Sequence, residues 1–184
     1  MASEIKIFND NYHFYGRHAE EMIKLTEPIE KDNKSAKLFS ANYQVMQVAP
    51  LIGFLYGRTA ELDKKAQSPD EKIAVTNIMV SQIIPIQEKL EFNYRMIMML
   101  DEAYEPDPKK RLDKALRHAG KEPEDVKRFE SYIRGGIDVL YEKLVEGNND
   151  PHDIMDSLQT FAEDCKERFN DEFTKEDILR LSNK

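Results

Sequence analysis

The feature that most constrains this chain is a recurring punctuation, an oxygen-bearing side chain followed at once by proline. Ser68-Pro69-Asp70-Glu71, Asp107-Pro108 and Asp150-Pro151-His152-Asp153 all carry it. A side-chain oxygen just before a helix accepts from amides that the first turn leaves unpaired. Proline in that turn gives up only an N–H that would have no partner anyway. Stop signals alternate with these starts: Gly120 precedes Glu122-Pro123, and Gly147-Asn148-Asn149 precedes Asp150. Thr174 with Asp177 marks a last short helix. A chain punctuated in this way is expected to be all-α.

The apolar spacing agrees. Met22 and Leu25, then Leu38, Ala41, Val45, Val48, Ile52 and Tyr56, then Ile133, Ile137, Leu140 and Leu144, then Ile154, Leu158, Phe161 and Cys165, recur at helical intervals. The expectation is a single compact bundle of six or seven helices, one domain over 1–184, with acidic and peripheral helices from about 150. Residues 38–55 are apolar almost all round and predict a buried central helix, bent where Pro50 removes a donor. A second long element is expected from Pro69 towards Tyr104, kinked at Pro85. Its β-branched stretch, Ile73 to Ile86, is where a strand is the rival, and the caps together with the period through Leu90–Arg95 favour helix. At 184 residues such a chain buries about 70% of its unfolded surface, so a real core is expected.

Several classes are excluded or disfavoured. One cysteine, Cys165, permits neither an internal disulfide framework nor a cysteine-based zinc site, and a reducing cytoplasm is the compartment expected. The first ten residues hold no apolar run of signal-peptide length. The longest apolar stretches, Val45 to Tyr56 and Met96 to Leu100, are too short to span a membrane.

Charge is unevenly placed on a chain whose net is −8. Residues 109–128 hold eight basic side chains, Lys109, Lys110, Arg111, Lys114, Arg117, Lys121, Lys127 and Arg128, against four acidic ones. Residues 138–184 hold six basic against 13 acidic. A solvated charged face is the commoner cause of such asymmetry; separate acidic and basic partner faces are the functional one. Lys109, Lys110, Arg111, Lys114 and Arg117 are the candidates for phosphate contacts, which would give salt-sensitive, sequence-independent affinity. The isoelectric point near 5.1 and the acidic tail oppose that reading.

No catalytic signature appears. His13 and His18 lie five apart beside Glu20 and Glu21, a spacing that turns the two rings away from each other on one helix unless Gly16 breaks it. No metal or cofactor is therefore expected. His118 closes the basic helix, where a helix C-terminus favours an imidazolium. His152 among Asp150, Asp153 and Asp156 is better explained by capping than by a calcium loop. Adjacent carboxylates such as Glu124-Asp125 fall on different helix faces, and neither a phosphate loop nor a nucleophile elbow is present.

Glycines inside apolar helices call for a compensating reason, because each costs about 1 kcal/mol relative to alanine. Gly53 and Gly57 lie four apart, and Gly135-Gly136 sits within Tyr132-Ile133-Arg134-Gly135-Gly136-Ile137. Close helix packing is the favoured reading, and room for a partner is the rival. Arg58, Tyr132, Arg134, Gly135 and Gly136 are accordingly the candidates for partner contact, with Arg58 and Arg134 as anchors for a carboxylate or a phosphate. Met79, Met96, Met98 and Met99 suit either a flexible core or an adaptable surface.

Two blocks resemble a known family. Leu38-Phe39 with Ala49-Pro50-Leu51-Ile52-Gly53-Phe54-Leu55-Tyr56-Gly57-Arg58-Thr59-Ala60-Glu61-Leu62, and Arg128-Phe129-Glu130-Ser131-Tyr132-Ile133-Arg134-Gly135-Gly136-Ile137-Asp138-Val139-Leu140, are similar to the signatures of small bacterial proteins associated with the Dnd system of DNA phosphorothioation. The resemblance covers about residues 38–145, and the double-glycine block is its more specific part. The chain departs from that pattern in its longer N-terminal region, around Ile73 to Ile86, and after Asn148. The resemblance implies an accessory component of a DNA-modification or anti-phage defence system, with no catalytic residues to carry over. The expectation is thus a non-enzymatic adaptor acting through other proteins of such a complex. A DNA-binding or regulatory protein using residues 109–128 is the alternative, and a homo-oligomer is compatible with either.

Overall fold

The computed structural model describes residues 7–30, 32–63, 73–148 and 150–169. Its spine is two long helices packed against each other, α2 (Asn42–Leu55) and α6 (Pro123–Leu144), around which the other elements are arranged. The architecture is all-α with one small accessory sheet.

Helix α2 buries Val45, Met46, Ala49, Pro50, Ile52 and Gly53, so the central buried helix is where the apolar spacing puts it. It starts at Asn42, four residues later than that spacing suggests. Polar groups fix the start: the Ser40 N–H and hydroxyl both donate to Gln44 Oε1 at 2.8 Å, and Leu38 and Phe39 pack on the core from a non-helical segment. Pro50 lies inside the helix, where it offers no N–H to the turn before it. Gly57, with φ +62°, then turns the chain out of α2.

Strand β1 (Tyr12–Tyr15) leads through Gly16 into α1 (Arg17–Thr26). It pairs antiparallel with β2 (Val75–Ile78), Tyr12 opposite Ile78 and Phe14 opposite Thr76. Within the Ile73 to Ile86 stretch expected to be helix, this pairing corrects Val75–Ile78 to strand, whereas the chain from Val80 on is helical. The β-branched residues Val75, Thr76 and Ile78 take the extended form because a strand some 60 positions away supplies the hydrogen bonds. Beyond it, α3 (Val80–Ile83), a 3-10 turn over Ile84–Ile86 and α4 (Gln87–Leu100) follow one another, and the 3-10 turn falls at the proline expected to kink the helix. The Ser68–Glu71 start signal and the Thr174–Asp177 helix lie outside the described residues.

Asp107 caps α5 (Pro108–Leu112), its Oδ1 accepting from the Lys109 N–H at 2.9 Å. A π-turn over Asp113–Arg117 and Gly120, with φ +68°, carry the chain into α6. Helix α7 (Pro151–Phe169) opens on Asp150, whose Oδ1 accepts from the N–H groups of His152 at 2.7 Å and Asp153 at 3.1 Å. It packs on α6 and stacks Phe161 on Tyr56, ring centres 6.2 Å apart. Among the described residues no helix is long and apolar enough to cross a membrane.

Candidate functional site

The glycines of α2 and α6 mark a seam where backbone meets backbone. A methyl group added at Gly136 would run into the Ala49 carbonyl, one at Gly53 into the Tyr132 carbonyl, and one at Gly135 into the Arg58 carbonyl. The last contact exists because residues 58–63 lie as a strap across α6. The Ala60 N–H donates to the Ser131 carbonyl at 3.0 Å, and Arg134 Nε donates to the Ala60 carbonyl at 2.9 Å. Arg134 is buried, with Glu130 3.8 Å away and the Tyr12 hydroxyl at 3.5 Å. Tyr132 is buried as well: its hydroxyl donates to Asp101 Oδ2 at 2.8 Å and accepts from Arg128 at 2.7 Å. Burial, with the Asp101 carboxylate beside it, pushes this phenol up to about 12. Tyr132, Arg134, Gly135 and Gly136 therefore belong to the interior, which corrects their candidacy as partner contacts: burial and internal hydrogen bonds consume what a partner would need. Arg58 alone keeps a half-exposed side chain, ion-paired with Glu142.

The basic segment divides in the same manner. Arg111 is turned inward, where its guanidinium donates to the carbonyls of Met99, Glu105 and Pro106 at 2.9–3.1 Å and to Glu102 at 3.0 Å. Lys114 pairs with the fully buried Asp125 at 2.6 Å, and Arg128 with Asp101 at 2.8 Å. These three hold the loops around α5, so Arg111 and Lys114 are corrected from phosphate candidates to internal anchors. Lys109, Lys110 and Arg117 remain on the surface, as do Lys121 and Lys127. His118 closes the π-turn, its N–H donating to the Asp113 carbonyl, and its ring pairs with the Asp113 side chain, Nδ1 to Oδ2 at 2.6 Å.

Next to this segment, α4 presents apolar residues on two opposite faces. Leu90, Tyr94, Ile97 and Met98 point into the core. Phe92, Met96, Met99 and Leu100 point out, Phe92 being 61% and Leu100 54% exposed. The spacing 92, 96, 99, 100 makes them one stripe. Helix α4 packs against α5 and the π-turn, and Arg111 ties α5 to the last turn of α4. Along α5 and the π-turn, exposed Leu112 and Leu116 line a groove of about 340 Å³ together with Lys109, Asp113 and Arg117. Of the four methionines singled out in the sequence, Met98 is core, whereas Met79, Met96 and Met99 are exposed.

A third arrangement joins α1 to α6. His18 and Glu21, three apart on α1, face Asp138 of α6, and ligand atoms from all three lie within 4.8 Å of one another. Arg17 donates to Asp138 Oδ2 at 2.9 Å. Burial and the facing Asp138 carboxylate push the Glu21 carboxyl up to about 8. Burial works against ionised Asp138, yet His18 and Arg17 hold its carboxyl below the usual range. His13, on β1, is exposed and apart from this group. Sequence reasoning missed Asp138, whose signal is a lone charge inside the apolar run after Gly135-Gly136. No family model, curated protein or solved structure matches the chain.

Proposed function

We propose that this protein is a non-enzymatic adaptor whose outward α4 face docks an acidic, amphipathic helix of a partner in a DNA-modification or defence complex. The observation that carries this reading is the second apolar face of α4: Phe92, Met96, Met99 and Leu100 stand exposed on a helix already anchored through its other side. Phenylalanine and methionine on a helix surface form an adaptable surface for another helix, which reads them through anchors three or four residues apart. The exposed Lys109, Lys110 and Arg117 on the adjoining segment favour carboxylates on that partner. The setting, a DNA-modification or defence system, rests on the resemblance of the Ala49–Leu62 and Arg128–Leu140 blocks.

The test is fluorescence anisotropy with a labelled helical peptide carrying leucines at i, i+3, i+4 and i+7 and glutamates on its flanks. Saturable binding is expected, with Phe92→Ser weakening it about tenfold, the effect of losing one aromatic anchor. Sedimentation equilibrium showing a stable dimer that Phe92→Ser dissolves would replace the partner by a second copy. Duplex DNA binding that is indifferent to Phe92→Ser and abolished by reversing Lys109 and Lys110 would overturn the adaptor reading in favour of a DNA-binding one.

A further inference from the structure

The densest unexplained chemistry lies away from the α4 face, where α1 crosses α6. His18 is 1% exposed, and neither of its ring nitrogens has a hydrogen-bond partner among the described residues. Glu21 Oε2 and Asp138 Oδ1 are buried and equally without one. Buried polar atoms are satisfied in the great majority of cases, because leaving one without a partner forfeits its hydration for nothing in return. Two of the four, His18 Nε2 and Asp138 Oδ1, face each other as an ion pair; His18 Nδ1 and Glu21 Oε2, on neighbouring side chains, are left to point to a missing shared partner.

The spacing identifies what the partner is. His18 Nε2 lies 3.1 Å from Asp138 Oδ1, an ion pair. Two ligands of a tetrahedral zinc ion, each about 2.0–2.2 Å from the metal, are separated by roughly 3.3 Å. The spacing of the His18–Asp138 pair is thus that of one edge of a coordination shell. Glu21 is one helical turn from His18 and so presents a third ligand from the same face of α1. One imidazole and two carboxylates form a donor set of intermediate hardness, which suits zinc, manganese or iron in the divalent state and is too poor in oxygens for calcium. Arg17 holds the outer oxygen of Asp138 at 2.9 Å and leaves the inner one facing His18, the role an outer-sphere group plays in orienting a ligating carboxylate.

We propose that His18, Glu21 and Asp138 bind one divalent transition-metal ion that clips α1 to α6. Two of the three ligands come from the N-terminal helix and one from the spine, so the ion ties together segments 117 or more residues apart in sequence. The site is independent of the α4 face.

The experiment uses the full chain, stripped with chelator and titrated with zinc against a chromophoric competitor, together with thermal melts at each zinc level. One ion per chain is expected, with the melting midpoint rising as zinc is added. Glu21→Gln and Asp138→Asn keep the shape of the side chains and remove ligating charge; each should weaken zinc binding at least tenfold, and together they should abolish the zinc-dependent rise in midpoint. His18→Ala should weaken binding about a hundredfold, and the two isosteric variants carry the test if that protein does not fold. Cobalt in place of zinc should give visible absorption bands that the double variant lacks. Absence of stoichiometric zinc binding, or binding and stabilisation unchanged in the Glu21→Gln, Asp138→Asn protein, would overturn the site.

Discussion

The α2–α6 seam and the outer face of α4 are both apolar surfaces of helices, and they differ in what lies opposite. At the seam, glycines bring the backbones together and leave no room for a side chain. On α4, Phe92, Met96, Met99 and Leu100 stand out from the helix with the bulk of full side chains. The contrast teaches that glycine in an apolar helix marks a contact already made within the fold, whereas flexible apolar bulk on a second face marks one still open. Of the two signals in this sequence, the glycines draw the eye and the methionines point outward.

The comparison is broken most severely from the closed side. Gly136→Val should cost at least about 3 kcal/mol in urea unfolding, because the displaced group is the Ala49 backbone and not a movable side chain. A cost near zero would mean that the helices part easily and the seam is no seam. Arg134→Ala should cost about 2–3 kcal/mol, since it strips the buried Ala60 carbonyl of its donor. Arg111→Ala should cost about 2 kcal/mol by the same measurement, with three carbonyls losing a shared donor near the surface. On the open side, Phe92→Ser should shift stability by no more than about 0.5 kcal/mol while weakening the acidic peptide tenfold; a large loss of stability would return Phe92 to the core. The smallest effect is expected of Lys109→Glu with Lys110→Glu, which should leave the melt unchanged and slow peptide association a few-fold at low salt.

Local chemistry made much of the fold legible. Asp107, Asp150, Gly120 and Gly147 act within a few residues of where they stand, so the ends they mark can be read without a structure. Pro85 likewise lies in the break before α4. What escaped was non-local. Strand β2 depends on Tyr12–Tyr15, and no window around Val75 contains that partner. Arg111, Lys114 and Arg128 look like a basic face until Met99, Asp125 and Asp101 are placed beside them. Glu21 is three positions from His18, yet the cluster takes its meaning from Asp138, 117 positions further on. Periodicity says which way a side chain points, and does not say what waits there.

The strap over α6 bears on how the molecule opens. Ala60 belongs to no helix or strand, and irregular segments ordinarily exchange their amide hydrogens with solvent by local fluctuation. Its N–H, however, is held by Ser131 while its carbonyl is held by Arg134. Releasing it requires the strap to lift from the α6 backbone at Gly135, next to the seam itself. In heavy water the Ala60 amide should therefore outlast those of exposed helices such as α7, and report the opening of the whole spine from a position that looks like a loop.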